Sequence, residues 1–600
     1  MQQFKEKQQK LKSIRDYHKN LLLRMEQPEE IDIQDVYSFL EELARGGSTI
    51  EDAENRALLQ ELIRYWSSII NDKTGDFPVI QLQPFDQSLI HSRTTGQILQ
   101  SRWWMVILIL IVVMLLSSGG YTAFLYFHSS PTSIGVTQIG NESIGISDGS
   151  YAFDTTLADG SLKSQAAQMY RQNSTNVNQV TSLLNQATAI NSNDAEALIY
   201  QEDLNVVNSG NPYVTMVVAT ILSGANLGVG RDDLQGAYVA QKEFNDGSKL
   251  HGGVQVRLLI ANTGSKPDYV SNITQQIIHV AQTDKTFVGV MGWPFSAYTL
   301  AAIKALRTAK IPLISPADSS DELTNASPYF FRVVPSDNQS ARLGAQYAIG
   351  TLHAKSVALF EDPQNPFSSS LAGDFLQDFV QDGGQLAVEE LYTAGKPETL
   401  PSQLQDALSK SPDLIYFSGY ASDANILLSN QLPPNLPVLG GNALYDPEVY
   451  SAIARTSSFT HLHFTADAYP DEWNILGYSD QEPAFFSEYQ TYFDPHKRYL
   501  SGTYGFTRPD SGVMVAYDAT LAMLSGCNMV LSSGKQFVTP EDLELELRNL
   551  NGANAIQGVS GQIAFGPDGN PINKAVLLLY VDSQGAIYMY PTILGQFIKQ

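Results

Sequence analysis

Three turns carry the residue types that could hold a small anion. They are Leu222-Ser223-Gly224-Ala225-Asn226-Leu227-Gly228-Val229-Gly230, Gly292-Trp293-Pro294-Phe295-Ser296-Ala297-Tyr298-Thr299 and Ser315-Pro316-Ala317-Asp318-Ser319. Each follows a short β-rich run, is rich in hydroxyls and backbone donors, and leads toward a helical pattern. The start of a helix offers unpaired N–H groups and a dipole that favours negative charge. Ser296 and Ser319 therefore either donate to a ligand carboxylate or cap their helices. Binding is the expected chemistry, since no nucleophile–base pair is identifiable in the sequence. Gly228-x-Gly230 is not a dinucleotide fingerprint, since Asp233 stands where the third glycine should be. His461-x-His463 puts two imidazoles on one face of a strand. Without a Cys or acidic cluster nearby they read as solvated strand histidines, not metal ligands. No cofactor and no metal is expected.

The elements that must position these turns alternate. β-rich runs at 213–219, 254–260, 287–291 and 312–315 are separated by helical patterns at 232–245, 268–282 and 298–309. A second set of strands follows at 356–361, 386–390, 413–418 and 437–440. Alternation of this kind predicts two parallel sheets flanked by helices, hence two lobes. Ligands in such folds sit beyond the carboxyl ends of the strands, so the cleft between the lobes is the expected site. Thr539-Pro540 followed by Glu541, Asp542 and Glu544 reads as a helix start. The single cysteine, Cys527, lies in an apolar helical pattern and reads as a buried small hydrophobe.

Ahead of the two lobes, Trp103–Phe127 holds 25 residues without a formal charge. At roughly 1.5 Å per helical residue this exceeds the roughly 30 Å of a bilayer core. Arg93 and Arg102 precede the run, and the first lysine after it is Lys163. The basic flank predicts residues 1–102 on the cytoplasmic side and the rest exported. Helical patterns at about 5–25, 32–45 and 51–70, the last opened by a Ser48/Glu51 capping box, make 1–102 a small all-α module. Residues 129–151 read as a linker and 161–205 as a helical hairpin. The stretch 184–205 is either a tetratricopeptide-like half-repeat or a plain spacer, so 128–210 is expected to be a stalk. The net charge is −25, and from Ser129 onward 46 acidic residues face 24 basic ones. That excludes nucleic acid as a partner, since neutralising phosphates needs Lys and Arg.

Residues 212 to about 592 resemble type I periplasmic binding proteins of the branched-chain amino-acid (leucine/isoleucine/valine) binding family. The motifs that carry the resemblance fall in family order: 222–253 around LSG and EFNDG, VGVMGWPFSAYTLAAIKALRTAKIPLISPADSSDELT at 288–324, FRVVPSD at 331–337, YFSGY at 416–420, YDA at 517–519 and VSGQIAFGPDGN at 559–570. The resemblance implies an α/β two-lobed fold, with lobe 1 at about 211–335 and 464–570 and lobe 2 at about 336–463 and 571–600. It implies a protein that captures a small polar ligand for ABC-type uptake without catalysis, and the span Trp103–Phe127 would make that protein membrane-anchored. The rival is a receptor that signals to the N-terminal module. Carried over by position, Ser296, Ala317 and Ser319 hold the ligand carboxylate. Phe367 closes over the ligand, Tyr420 forms a wall, and Val229 touches the ligand. The family's acidic residue for the ligand ammonium aligns with Asn442, which carries no charge. Asp318 or Asp446 could replace it. Failing that, a carboxylate or amide ligand is expected, with weak binding of leucine, isoleucine and valine and a gain from Asn442→Asp.

Overall fold

The computed structural model describes residues 134–599 except 431, 448 and 451–460. The all-α module expected over 1–102 and the span Trp103–Phe127 lie outside the described residues. Among the described residues one helix, Ser511–Ser532, is long and apolar enough to cross a membrane, and it is mostly buried in the protein core.

The first lobe begins with a hairpin, β1 (Val136–Ile139) and β2 (Glu142–Ser147), and three helices, α1 (Gly160–Gln172), α2 (Val177–Ile190) and α3 (Ala195–Ser209). It continues β3 (Tyr213–Thr220), α4 (Leu227–Asp246), β4 (Gln255–Asn262), α5 (Val270–Thr283), β5 (Phe287–Gly292), α6 (Ser296–Ala309), β6 (Leu313–Ser315) and β7 (Phe330–Arg332). The second lobe runs α7 (Asp337–Gly350), β8 (Ser356–Glu361), α8 (Pro366–Gln381), β9 (Gln385–Leu391), α9 (Leu400–Ser409), β10 (Leu414–Ser418), α10 (Ala421–Leu428), β11 (Val438–Gly440) and β12 (Leu462–Ala466). The chain then returns to the first lobe with α11 (Phe485–Phe493), α12 (Ser511–Ser532) and α13 (Pro540–Asn549). A small hairpin follows, β13 (Ile556–Gly558) and β14 (Gly561–Ile563). The last strands, β15 (Val576–Val581) and β16 (Ile587–Leu594), belong to the second lobe.

Each lobe is a seven-stranded sheet, ordered β1-β2-β4-β3-β5-β6-β7 in the first and β16-β15-β12-β11-β10-β8-β9 in the second. Five strands of each are parallel, and two antiparallel strands extend one edge: β1 and β2 beyond β4, β15 and β16 beyond β12. The parallel strands are near-continuous apolar runs because both faces are covered. In β3, YVTMVVAT, every residue after Tyr213 is buried. One face of the first sheet packs against α3, α4 and α12, the other against α5 and α6. Helices α4 and α12 approach closely because Gly236 has no side chain; a Cβ there would meet the Val513 carbonyl and the Tyr517 amide. Cys527 is buried in α12 and its thiol is pushed up to about 12 by that burial. Thr539 caps α13, accepting from the Asp542 amide at 3.2 Å, with Pro540 in the first turn.

Four expectations need revision. The expected linker and hairpin over 128–210 are not a separate stalk where they are described: β2 pairs with β4, and Ala166, Val180, Leu184, Ile199 and Leu204 sit in the first lobe's core. The hairpin expected over 161–205 is three helices, its first half broken at Asn173–Asn176. His463 is not a solvated strand histidine. It lies against Tyr347 and Tyr590, and burial holds its pKa down at about 4. The second lobe's first segment also runs to Ala466, slightly past the expected boundary.

Candidate functional site

A cleft of about 800 Å³ lies between the lobes. Its walls are the carboxyl ends of strands from both sheets, where open parallel sheets present their ligand loops. From the first lobe come Val229 in the first turn of α4, Ser296 at the start of α6, and Ala317 and Ser319 beyond β6. From the second come Phe367 in the first turn of α8, Tyr420 beyond β10 and Asn442 beyond β11. Eight of the nine residues singled out from sequence, Asp446 among them, thus meet in one cleft. Asp318 does not line it. Its side chain is buried behind the loop beside Thr299 and Ser315, and burial pushes its carboxyl up to about 7.

The loop beyond β6 is held from below. Arg332 is fully buried and donates to the carbonyls of Asp318 at 3.2 Å and Ser320 at 2.8 Å, to Thr324 Oγ1 at 2.8 Å and to Asn570 Oδ1 at 2.8 Å. The guanidinium fork thereby ties the loop beyond β6 to the chain crossing near residue 570, which is the physical content of the FRVVPSD and GPDGN motifs. Ser296 Oγ accepts from the Ser320 amide at 3.4 Å, so the two turns close on each other. Ser319 lines the cleft beside Asp337, whose buried carboxyl is pushed up to about 8.

An aromatic wall crosses from lobe to lobe. Tyr420 stands edge-on to Phe295, with ring centres 5.7 Å apart, and packs on Phe367 at 5.7 Å. Asn365 fixes this corner: its Oδ1 accepts from the Phe367 and Ser368 amides at 3.1 Å each, and its Nδ2 donates to the Tyr420 hydroxyl at 3.1 Å. Ser320 Oγ donates to the Pro366 carbonyl at 3.0 Å, and Ser370 Oγ accepts from the Asp321 amide at 3.0 Å.

Sequence reasoning missed Asp467. It follows β12, lines the cleft, and is only 5 % exposed. Asn442 Nδ2 donates to its Oδ2 at 2.6 Å, while Oδ1 has no protein hydrogen bond. Burial pushes its carboxyl up to about 6, opposed by the Asn442 bond and the positive charges of Lys574 and Arg332. The neutral Asn442 is therefore not the end of the matter: an acid stands directly behind it. Asp446, the other candidate acid, also lines the cleft and accepts from the Val449 amide at 2.9 Å. Asp233, noticed only as a missing glycine, accepts from Thr220 Oγ1 at 2.6 Å, and burial pushes it up to about 8.

No curated protein matches the chain. Among solved structures it is similar to a leucine binding protein from Thermotoga maritima, with 22% identity and a TM-score of 0.53, over 64% of this chain and 99% of that one. A branched-chain amino acid transporter substrate-binding protein from Streptococcus pneumoniae, in complex with isoleucine, is 21% identical with a TM-score of 0.52, over 63% and 99%. A solute-binding protein of an ABC transporter from Rhodopseudomonas palustris, in complex with 3,4-dihydroxybenzoic acid, is 16% identical with a TM-score of 0.51, over 64% and 98%. These likenesses share the two-lobed fold. The periplasmic binding protein family matches residues 214–586, the greater part of the chain and both lobes around the cleft, and the chain belongs to that family.

Proposed function

We propose that the chain is a membrane-anchored, exported solute-binding protein that closes its lobes over a small polar ligand, an amino acid or a related carboxylate or amide, for ABC-type uptake. The observation that supports this best is the pairing across the cleft of Ser296 and Ser319 on one lobe with the Asn442–Asp467 unit on the other. The first pair, with the start of α6, suits a carboxylate. The second offers a buried anion with one open oxygen, which suits an ammonium. Relatives of the same fold are a leucine binding protein and an isoleucine-bound transporter subunit. The anchor is Trp103–Phe127, with its basic flank inside. Binding and release by hinge motion is the whole of the proposed chemistry.

A ligand that binds only the native state raises the melting temperature, so a thermal-shift screen of the full-length chain against amino acids and small amides tests the reading. Ser296→Ala should weaken the ligand found by roughly ten- to more than a hundredfold, the loss of about 1.5–3 kcal/mol for a hydrogen bond to a charged group. Unchanged affinity would make Ser296 a helix-start residue only. A second reading, a receptor passing ligand occupancy to a cytoplasmic partner, draws on the roughly hundred residues with helical patterns ahead of the span. Co-purification with permease and ATPase subunits favours uptake; co-purification with a kinase or regulator favours sensing.

A further inference from the structure

One loop of the first lobe departs from the acidic character of the chain. Residues 495–502, Pro-His-Lys-Arg-Tyr-Leu-Ser-Gly, are exposed without interruption between α11 and α12. No acidic residue occurs from 495 to 509, in a chain of net charge −25. Lys497 and Arg498 are exposed, Leu500 is 84 % exposed and Tyr499 is 40 % exposed. Ile190, 52 % exposed, stands at the foot of the loop. Arg498 donates to the neighbouring Ala189 carbonyl at 3.3 Å, and Ser192 Oγ donates to the Phe493 carbonyl at 2.6 Å. A lone exposed leucine is ordinary, but leucine, isoleucine and tyrosine set among cations have the composition of a membrane-interface contact.

The loop has a fixed conformation. Asp494 at its start accepts from the amides of Arg498 at 2.7 Å and Tyr499 at 3.2 Å. Thr507 Oγ1 donates to the Leu500 carbonyl at 2.8 Å and accepts from the Thr503 amide at 2.9 Å. The Tyr499 ring stacks on Phe506, with centres 3.7 Å apart. Backbone groups satisfied from within the loop can leave bulk water at small cost, as an approach to the headgroup boundary requires. The base of the loop reaches the cleft, which Tyr504, Gly505 and Phe506 line. A tip seated on a bilayer therefore sets one rim of the cleft against the membrane, where an uptake permease would take the solute. The proposed anchor makes even a weak contact count. From Phe127 to Ile134 the chain has seven residues, at most about 25 Å when extended. A surface tethered that closely meets the headgroups at a high effective concentration.

Resting on the anchored solute-binding reading, we propose that loop 495–502 docks on anionic lipid headgroups. Lys497 and Arg498 meet the phosphates, and Tyr499 and Leu500 enter the acyl boundary. The test uses the full-length chain in nanodiscs, with an environment-sensitive fluorophore on Ser501→Cys or, as control, on Gln536→Cys. Both positions are exposed and lie beyond opposite ends of α12, whose 22 residues span about 33 Å. The wild type, whose one thiol Cys527 is buried, gives the labelling blank. In discs containing phosphatidylglycerol, spin-labelled lipid should quench the fluorophore at 501 and spare the one at 536. Adding Lys497→Gln with Arg498→Gln should lower the docked-to-free ratio by roughly ten- to thirtyfold at low salt. High salt or pure phosphatidylcholine should do the same, and Leu500→Ser should lower the ratio in either lipid. Equal quenching at 501 and 536, or quenching at 501 that survives the double substitution, overturns the proposal. So does a 501 fluorophore shielded from water but not quenched, as a second copy or a protein partner would shield it. If the chain stays with lipid after alkaline carbonate extraction and 501 is unquenched, only this inference fails. If carbonate releases the chain, the anchor falls and this inference with it.

Discussion

Asp467 decides whether the cleft can accept an ammonium. Its Oδ2 is occupied by Asn442 and its Oδ1 is open, in a setting dry enough to push the carboxyl up to about 6. Asp467→Asn keeps the shape and removes the charge, and amino-acid affinity should fall by roughly ten- to more than a hundredfold. The pH dependence has a definite sign. A cationic ligand group favours the ionised carboxyl, so affinity is full above about pH 6 and is lost as pH falls through that value. Calorimetry at pH 5, 6 and 8 on the wild type and on Asp467→Asn checks both. A profile that is flat in the wild type would place the ammonium elsewhere. The expected gain from Asn442→Asp is withdrawn, because a second carboxylate 2.6 Å from the first would raise the pair's proton affinity instead of adding usable charge. Ser296 and Ser319 were legible in the sequence because a turn after a strand and before a helix has few uses. Asp467 was not. It meets Asn442 only because β11 and β12 are neighbours in the sheet, and strand order is not written in local periodicity.

At the scale of elements, α1–α3 are part of the first lobe, and a buried charge cluster fixes them there. Lys163, fully buried in α1, pairs with Asp194 and with Glu196, the latter at 2.9 Å. Glu196 accepts from the Phe153 and Asp154 amides at 2.7 and 3.0 Å and from the Tyr200 hydroxyl at 3.0 Å. Asp154 in turn holds Arg231 on α4. The same connection brings Asp154, Leu157 and Asn193 into the wall of the cleft, although they precede the family match at residue 214. Lys163→Met would leave two buried carboxylates uncompensated, a loss of about 3–5 kcal/mol. Denaturant unfolding should show that loss. Adding Asp194→Asn and Glu196→Gln to Lys163→Met should recover part of it, since the cost is the stranded charge and not the missing bond. A spacer would show neither effect. The helical periodicity of 195–209 was legible, but the docking was not: a lysine in an exposed-looking helix gives no local sign that it is fully buried, and the partner acids lie on another helix turn.

At the scale of the whole molecule, the two sheets are joined by crossings that carry their own buried polar groups. Arg332 secures the first. At the last, Lys574 is fully buried, donates to Ser560 Oγ at 2.9 Å and faces Asp518 at 3.6 Å, while Asp518 accepts from the Val559 and Ser560 amides at 2.7 and 3.0 Å. The motifs that made the fold legible, FRVVPSD, YDA and VSGQIAFGPDGN, are largely these crossings, which explains why the two-lobed architecture could be read while the ligand could not. The proposed anchor is a separate matter of charge. From Ser129 onward 46 acidic residues face 24 basic ones, and Arg93 and Arg102 precede Trp103. An acidic body is repelled by anionic lipid headgroups, and a basic flank is retained on the cytoplasmic side. Both support the proposed orientation, with the two lobes outside the cell. Protease added to intact cells should therefore remove the lobes and leave a protected fragment of about the first 130 residues, the length set by the 25-residue run Trp103–Phe127 and the residues ahead of it. An antibody against the first hundred residues would detect that fragment only after the cells are opened. Full protection of the chain, or loss of the N-terminal epitope with the lobes intact, would reverse the orientation and remove the basis for uptake from outside.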